Sequence, residues 1–289
     1  MNRKRMGFTV IELLMALAII SMLVGILIPA LSMVRKAARE VKQKAQFTGI
    51  ELALGAFKND YGDYPPSDQF SHYTTPPIND YCGAQKLAEA LLGWDLLGFH
   101  PKSAWRADGC DPARNPVYSP ADPNLRQRKG PYLELATANA FRLGISAAGK
   151  RDGLFDSTGK LVPDRYVICD VFGIKKVTVI KPLTLEPITF YAGTPVLYFK
   201  ANTSSKTIVP PPPYIYDIDD NVELINLRRV SDGKPHSIYN LSTFVPYIAD
   251  PKASTETRPW PYRPDSYILI SAGADGFYGT PDDIRNFGY

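Results

Sequence analysis

The sequence predicts an α+β protein, with one long N-terminal helix followed by a loop-rich head built on short strands. Three observations carry this reading. An apolar run extends from Phe8 to Leu31, apolar residues then recur at helical spacing to about Asn59, and the rest of the chain alternates short β-branched and aromatic runs with prolines and glycines. Among the 289 residues are 26 prolines and 17 tyrosines, with hydrophobic residues at 45%. That composition favours turns and short strands over a helical head.

The run from Phe8 to Leu31 is broken only by Pro29 and carries one charge, Glu12, while Arg3, Lys4 and Arg5 sit directly before it. Roughly 24 apolar residues of helix cross a hydrocarbon core of about 30 Å and exceed the apolar core of a secretory signal, about 7–15 residues. The segment is expected to be a membrane anchor. A carboxylate at the bilayer centre costs about 2.5–3.5 kcal/mol even on the gentler insertion scales, so Glu12 calls for a cationic partner. Two other readings stand beside this one. In the first the segment is a generic signal anchor and Glu12 is incidental; in the second a signal peptidase cuts at Ala30-Leu31-Ser32, which discards the apolar run and leaves Glu12 unexplained. Arg35, Lys36, Arg39, Lys42 and Lys44 outnumber the leader cations, so charge bias alone does not orient the chain.

Beyond the anchor, Val34, Ala37, Ala38, Val41, Ala45, Thr48 and Leu52, then Ile50, Leu54, Phe57 and Tyr61, recur three and four apart, which extends the helix to about Asn59. Helix from Phe8 to there would be roughly 78 Å long. Gly62, Pro65 and Pro66 end it. Gly83 to Gly93 reads as a second, short helix with Leu87, Ala88, Leu91 and Leu92 on one face. Strands are expected at Tyr166–Val171, Lys176–Lys181, Ile188–Tyr191, Val196–Lys200 and Tyr267–Ser271, punctuated by Gly173, Pro182, Pro187 and Gly193-Thr194-Pro195. Pro210 to Pro213 reads as a stiff connector. Roughly 230 residues beyond the first helix allow one elaborated domain, or one domain with a large insertion.

The stretch Gly7-Phe8-Thr9-Val10-Ile11-Glu12-Leu13-Leu14 resembles the processing site of type IV pilins and type II secretion pseudopilins. The resemblance implies a leader at residues 1–7, cleavage between Gly7 and Phe8 by a prepilin peptidase, and a methylated Phe8. It gives Glu12 the role of pairing with a neighbouring subunit's terminal ammonium, and two charges in an apolar core are tolerable only when each satisfies the other. Pro29 falls where these proteins carry a helix-bending proline. Tyr61-Gly62-Asp63-Tyr64-Pro65-Pro66, the helix after Gly83 and Gly130-Pro131-Tyr132-Leu133 are similar to stretches of the major pseudopilin.

That family implies a pilin-like fold, with the first half of the helix (8–31) transmembrane, its continuation (32–60) amphipathic, and a head at 61–289 built on a small antiparallel sheet. Residues 201–263 are absent from the compact family pattern and are the candidate insertion.

Residues 271–284 combine three carboxylates with three glycines after a strand, a composition that lets oxygens converge on a cation. They resemble the calcium loop of major pseudopilins, which continues into Asp-Ile-x-Asn-aromatic, here Asp283-Ile284-Arg285-Asn286-Phe287. The resemblance implies calcium held by Asp275, Asp282 and Asp283, with Ser271 as a weaker ligand through its carbonyl; an acidic turn without metal is the alternative. Asp217-x-Asp219-x-Asn221 starts like an EF-hand but has Val222 for the glycine and Arg228 for the terminal glutamate, so a solvated turn is expected. Of three cysteines, Cys82 and Cys110 are the more local pair for a disulfide, worth about 3–3.5 kcal/mol in the chain-entropy model; three buried thiols are the alternative.

His72, His100 and His236 show no metal spacing, and no phosphate loop or nucleophile motif is present. A net charge of +4, concentrated beside the anchor, does not indicate nucleic acid. The expected function is therefore mechanical rather than enzymatic. In this reading a single-pass inner-membrane subunit with a periplasmic head polymerises with copies of itself and other pseudopilins on the inner-membrane secretion platform. The alternatives are a type IV or competence pilin, or a membrane-anchored ligand-binding protein that reuses the signal.

Overall fold

The computed structural model describes residues 9–68, 80–119, 122–146, 151–180, 186–255 and 258–288. The chain divides into two compact units, Met1–Lys42 and Gln43–Tyr289. The architecture is α+β, with a long N-terminal helix and a head of small sheets and loops.

Helix α1 runs from Val10 to Tyr61 with Pro29 inside it. Within the first unit its apolar side chains are exposed all round, and an 18-residue window reaches a mean hydropathy of 2.7. By length and composition this part of the helix can cross a membrane. In the second unit one face is buried, formed by Gln43, Gln46, Phe47, Ile50, Ala53, Leu54 and Phe57. This corrects half of the expected stripe. Ile50, Leu54 and Phe57 point inward as expected, but Val34, Val41 and Leu52 are exposed, and two glutamines occupy the inward positions. They are buried because their amides are satisfied: Gln46 Nε2 donates to Thr137 O and Cys169 O at 2.9 Å each, Gln43 Nε2 donates to Gln46 Oε1 at 2.9 Å, and Gln43 Oε1 accepts from Val171 N at 2.9 Å. The helix ends where Gly62 donates its N–H to Lys58 O.

Helix α2 spans Gly83–Leu92, every residue of it buried. Gly83 lets it approach the sheet, since a Cβ there would lie 2.4 Å from Tyr198 O. Two single-turn helices follow, α3 at Asp122–Leu125 and α4 at Leu135–Ala138.

A first sheet has the order β2-β1-β3, from β1 (Ala140–Gly144), β2 (Gly153–Phe155) and β3 (Tyr166–Ile168); β1 runs parallel to β2 and antiparallel to β3. β4 (Lys175–Ile180) and β5 (Pro187–Ala192) pair antiparallel, Val177 opposite Phe190. The third sheet has the order β6-β7-β8, from β6 (Leu197–Lys200), β7 (Tyr267–Ser271) and β8 (Ile284–Arg285), all antiparallel.

This third sheet is a wall between two apolar clusters, because neighbouring side chains along a strand point to opposite faces. Leu197, Phe199, Ile268 and Ile270 enter one cluster; Tyr198, Tyr267 and Leu269 enter the other. The second face is covered by α1 and α2, through Phe47, Ile50, Leu54, Leu87 and Leu91. The first is covered by the segment between β6 and β7, through Ile215, Ile218, Leu224, Phe244 and Ile248. That segment contains α5 (Val222–Asn226) and α6 (Leu241–Ile248), the latter opened by a capping box between Asn240 and Thr243.

The Asp217–Asn221 stretch is not a solvated turn. It forms a 3-10 turn whose Asn221 is fully buried, donating to Tyr198 O at 2.7 Å and accepting from Ala84 N at 2.9 Å. Asn221 therefore ties this segment to both β6 and α2.

Candidate functional site

At the start of α1, Thr9 and Glu12 form a reciprocal cap. Glu12 Oε2 accepts from Thr9 N at 2.9 Å and from Thr9 Oγ1 at 2.7 Å, and Glu12 N donates to Thr9 Oγ1 at 3.3 Å. Thr9-Val10-Ile11-Glu12 is a capping box, in which a threonine and a glutamate three residues on satisfy the orphan donors of the first turn. Glu12 therefore has acceptor work within its own chain, on an exposed helix surface that is otherwise apolar. The expected processing residues Gly7 and Phe8 lie outside the described residues.

The acidic loop begins at Ser271 in β7, opposite Ile284 of β8. Gly273 closes it, at φ +65 with a would-be Cβ 2.2 Å from Asp282 O. The three aspartates divide into a pair and a separate residue. Asp282 Oδ2 accepts from Ala274 N at 2.9 Å and Asp275 N at 3.1 Å, and Asp282 Oδ1 accepts from Thr280 Oγ1 at 2.9 Å. Burial and the facing carboxyl of Asp282 raise the pKa of Asp275. Burial also acts to raise Asp282, but the Thr280 hydroxyl and the Asp275 N–H outweigh it and hold that carboxyl low.

Asp283 turns elsewhere. It accepts from Tyr247 Oη of α6 and from Gly279 N at 2.7 Å, and burial pushes it up to about 6. Ser271 Oγ donates to Asp170 Oδ2 at 3.0 Å. Asp170, fully buried, is pushed up to about 8 by burial, and also accepts from Phe172 N and Thr194 N at 3.1 Å each.

Tyr247 and Asp170 were not visible from the loop's sequence because they come from distant segments, whereas Thr280 lies within it and its hydroxyl bond was not read. Among the described residues no three His, Cys, Asp or Glu side chains converge as a metal-holding group. The fit to a cation is thus partial: Asp275 and Asp282 present two facing carboxyls, whose mutual repulsion either a shared proton or a cation relieves, while Asp283 and the Ser271 hydroxyl are engaged with other partners.

The expected Cys82–Cys110 bridge is not formed. All three cysteines are free thiols. Cys82 is buried at the start of α2, its thiol 3.8 Å from Gln85 Oε1, whereas the Cys110 thiol points to Asp108 O at 3.7 Å in a separate loop paired with Pro116. Cys169 is buried beside Asp170. His100 and His236 are buried and accept backbone N–H groups of Lys102 and Tyr278 at 3.2 Å, which are structural roles; His72 lies outside the described residues.

Residues 2–28 match the family model described as the prokaryotic N-terminal methylation motif. No curated protein and no solved structure matches the chain. The chain therefore carries a prepilin-type N-terminal methylation motif on a long apolar helix, which indicates processing by a prepilin peptidase and a pilin-like protein.

Proposed function

We propose that this chain is a pseudopilin, cut by prepilin peptidase before Phe8, which polymerises through α1 into a periplasmic filament serving type II secretion. The single observation that carries the reading is the helix surface from Val10 to Leu31, apolar and exposed all round with Glu12 as its one ionisable group. Such a surface is stable in lipid or packed against other apolar helices, copies of itself included. In the filament Glu12 exchanges its Thr9 donors for a neighbour's terminal ammonium, an ion pair that low dielectric makes strong once both charges leave water. The partners on this reading are further copies, other pseudopilins and the inner-membrane secretion platform, and the role is mechanical rather than enzymatic.

Calcium belongs to the same proposal. The facing carboxyls of Asp275 and Asp282 are the part of the loop that supports it, with Asp283 and the Ser271 carbonyl as the remaining donors the resemblance names. The ion would supply charge neutralisation and cross-link the loop's two ends.

Intact-mass measurement on the membrane fraction tests the processing step. The expected product begins at N-methyl-Phe8. A chain retaining Met1 to Gly7 in cells with active peptidase, or one starting near Ser32, refutes it.

A further inference from the structure

We propose that the head holds an anionic amphiphile, a fatty-acid-like chain with a carboxylate end, in the groove between α4, β1 and the β4–β5 hairpin. The groove has a volume of about 940 Å³, within the range of roughly 300–1,000 Å³ typical of small-ligand sites. Its walls are apolar, from Leu135, Phe141, Val179 and Phe190, and its lining includes the guanidinium-bearing residues Arg142 and Arg151.

The exposure pattern sets it apart from ordinary surface. Of the eight large hydrophobic residues exposed among the described residues of the head unit, Leu135 (50%), Val179 (40%) and Phe190 (45%) all line this one groove. Clustered apolar exposure of this kind marks an interaction site, whereas single exposed residues do not.

The polar groups decide what fits. Part of the lining's hydrogen-bonding capacity is already used within the fold: Thr178 N donates to Arg151 O at 2.7 Å, and the Asn139 amide donates to Asp170 O at 2.6 Å. Asp152 accepts from Ser146 N at 3.0 Å and from the Ser146 hydroxyl. What remains is cationic. The Arg142 guanidinium makes one long hydrogen bond, Nε to Tyr166 Oη at 3.5 Å, lies over that ring and is within electrostatic reach of the Asp152 and Asp164 carboxylates, while the exposed Arg151 enters the fold through its carbonyl. Two guanidiniums against one hydrogen-bonded carboxylate leave the lining net positive, so an apolar body with a carboxylate end matches both its walls and its charge. This inference is independent of whether the chain forms filaments.

The test uses the full chain in bilayer discs of neutral phosphatidylcholine and a diazirine-bearing dodecanoate as photolabel, with labelled peptides mapped by mass spectrometry. Label is expected on the peptides containing Leu135, Val179 and Phe190, displaced by dodecanoate but not by equal dodecanol. Arg151→Gln and the Arg142→Gln/Arg151→Gln pair should each reduce it, the pair by about tenfold, with unchanged thermal melts certifying the fold. Label confined to the apolar helix, equal displacement by dodecanol, or label unaffected by the arginine substitutions each overturns the proposal. Displacement by an end-blocked apolar peptide but not by dodecanoate also overturns it, and assigns the groove to a protein partner.

Discussion

The two units of this chain treat polarity in opposite ways. The helix from Val10 to Leu31 shows apolar side chains on every side and one charged group, the capped carboxylate of Glu12. The head buries polar side chains and gives several of them full sets of partners: Gln43 and Gln46 clasp backbone groups, Asp170 takes three donors, and Glu89 accepts from Tyr81 Oη and Tyr118 Oη at 2.7 Å and from Ser103. The difference teaches that solvent sets the design. On a helix apolar enough to cross a membrane, side-chain charge is reduced to one group, and the Ser21 and Ser32 hydroxyls are turned back onto the helix's own carbonyls. Where the surroundings are water, polar groups can be spent inside, fixing which segments meet.

The comparison breaks most sharply at Glu12. Glu12→Ala should leave membrane insertion and processing intact but impair filament cross-linking, since removing one member of a buried pair costs about 3–5 kcal/mol. Cross-linked ladders as abundant as wild type would show that the carboxylate is not needed for assembly.

Next in size is the acidic loop. On a soluble form beginning at Arg35, calcium at 100 times its dissociation constant should stabilise the head by about 2.7 kcal/mol, visible as a raised melting midpoint and larger than the effect of equal magnesium. Asp275→Ala should remove most of this gain, and Asp219→Ala, on the exposed side of the 3-10 turn, should not. Identical melts in calcium and chelator would leave the loop as a hydrogen-bonded turn.

Gln46→Ala strips the donor from Thr137 O and Cys169 O, and should cost about 2 kcal/mol by chemical denaturation. Leu52→Ala, at a position 72% exposed, should cost under about 0.5 kcal/mol. If the leucine proved the costlier of the two, buried polarity would not be what fixes this face.

A further effect is pH-dependent. Burial raises Asp220 to about 7, against about 3.9 for an unfolded carboxyl. Between those values the folded state binds the extra proton, so stability falls as pH rises through the window. Asp220→Asn stays neutral and its oxygen still accepts from Ser67, so it should lack this decline. Wild type should lose about 2.5 kcal/mol relative to the variant between pH 5 and about 7.5. His236, whose depressed pKa gives the opposite slope at lower pH, titrates in both proteins and cancels. Parallel pH profiles would show that Asp220 is not protonated in the folded head.

Legibility followed the same divide. The apolar run could be read directly from its length and composition, and the helix after Gly83 from Leu87, Ala88, Leu91 and Leu92 at helical spacing. The inward face of α1 was misjudged where glutamines replace apolar residues, since periodicity counts hydrophobicity and not hydrogen bonds formed with residues some 90 to 130 positions away. β7 was found as a run of Tyr267 to Ser271, but β1 and β2 were not: Ala140–Gly144 alternates with an arginine, and its parallel partner is three residues long. In the acidic loop the residue types were visible and their partners were not. Nothing in Gly279-Thr280-Pro281-Asp282-Asp283 shows that Tyr247, 36 residues earlier, takes the last carboxylate.

The cap at the start of α1 has one more consequence. Both donors to Glu12 belong to Thr9, downstream of the Gly7–Phe8 junction, so the first turn is closed by residues that stay with the chain whichever side of the cut is considered. On the proposed cleavage before Phe8, the uncut precursor and the trimmed subunit are expected to share the same helix start. Cleavage, on this account, changes what the chain offers to others, a free terminal amine, without altering how it holds itself.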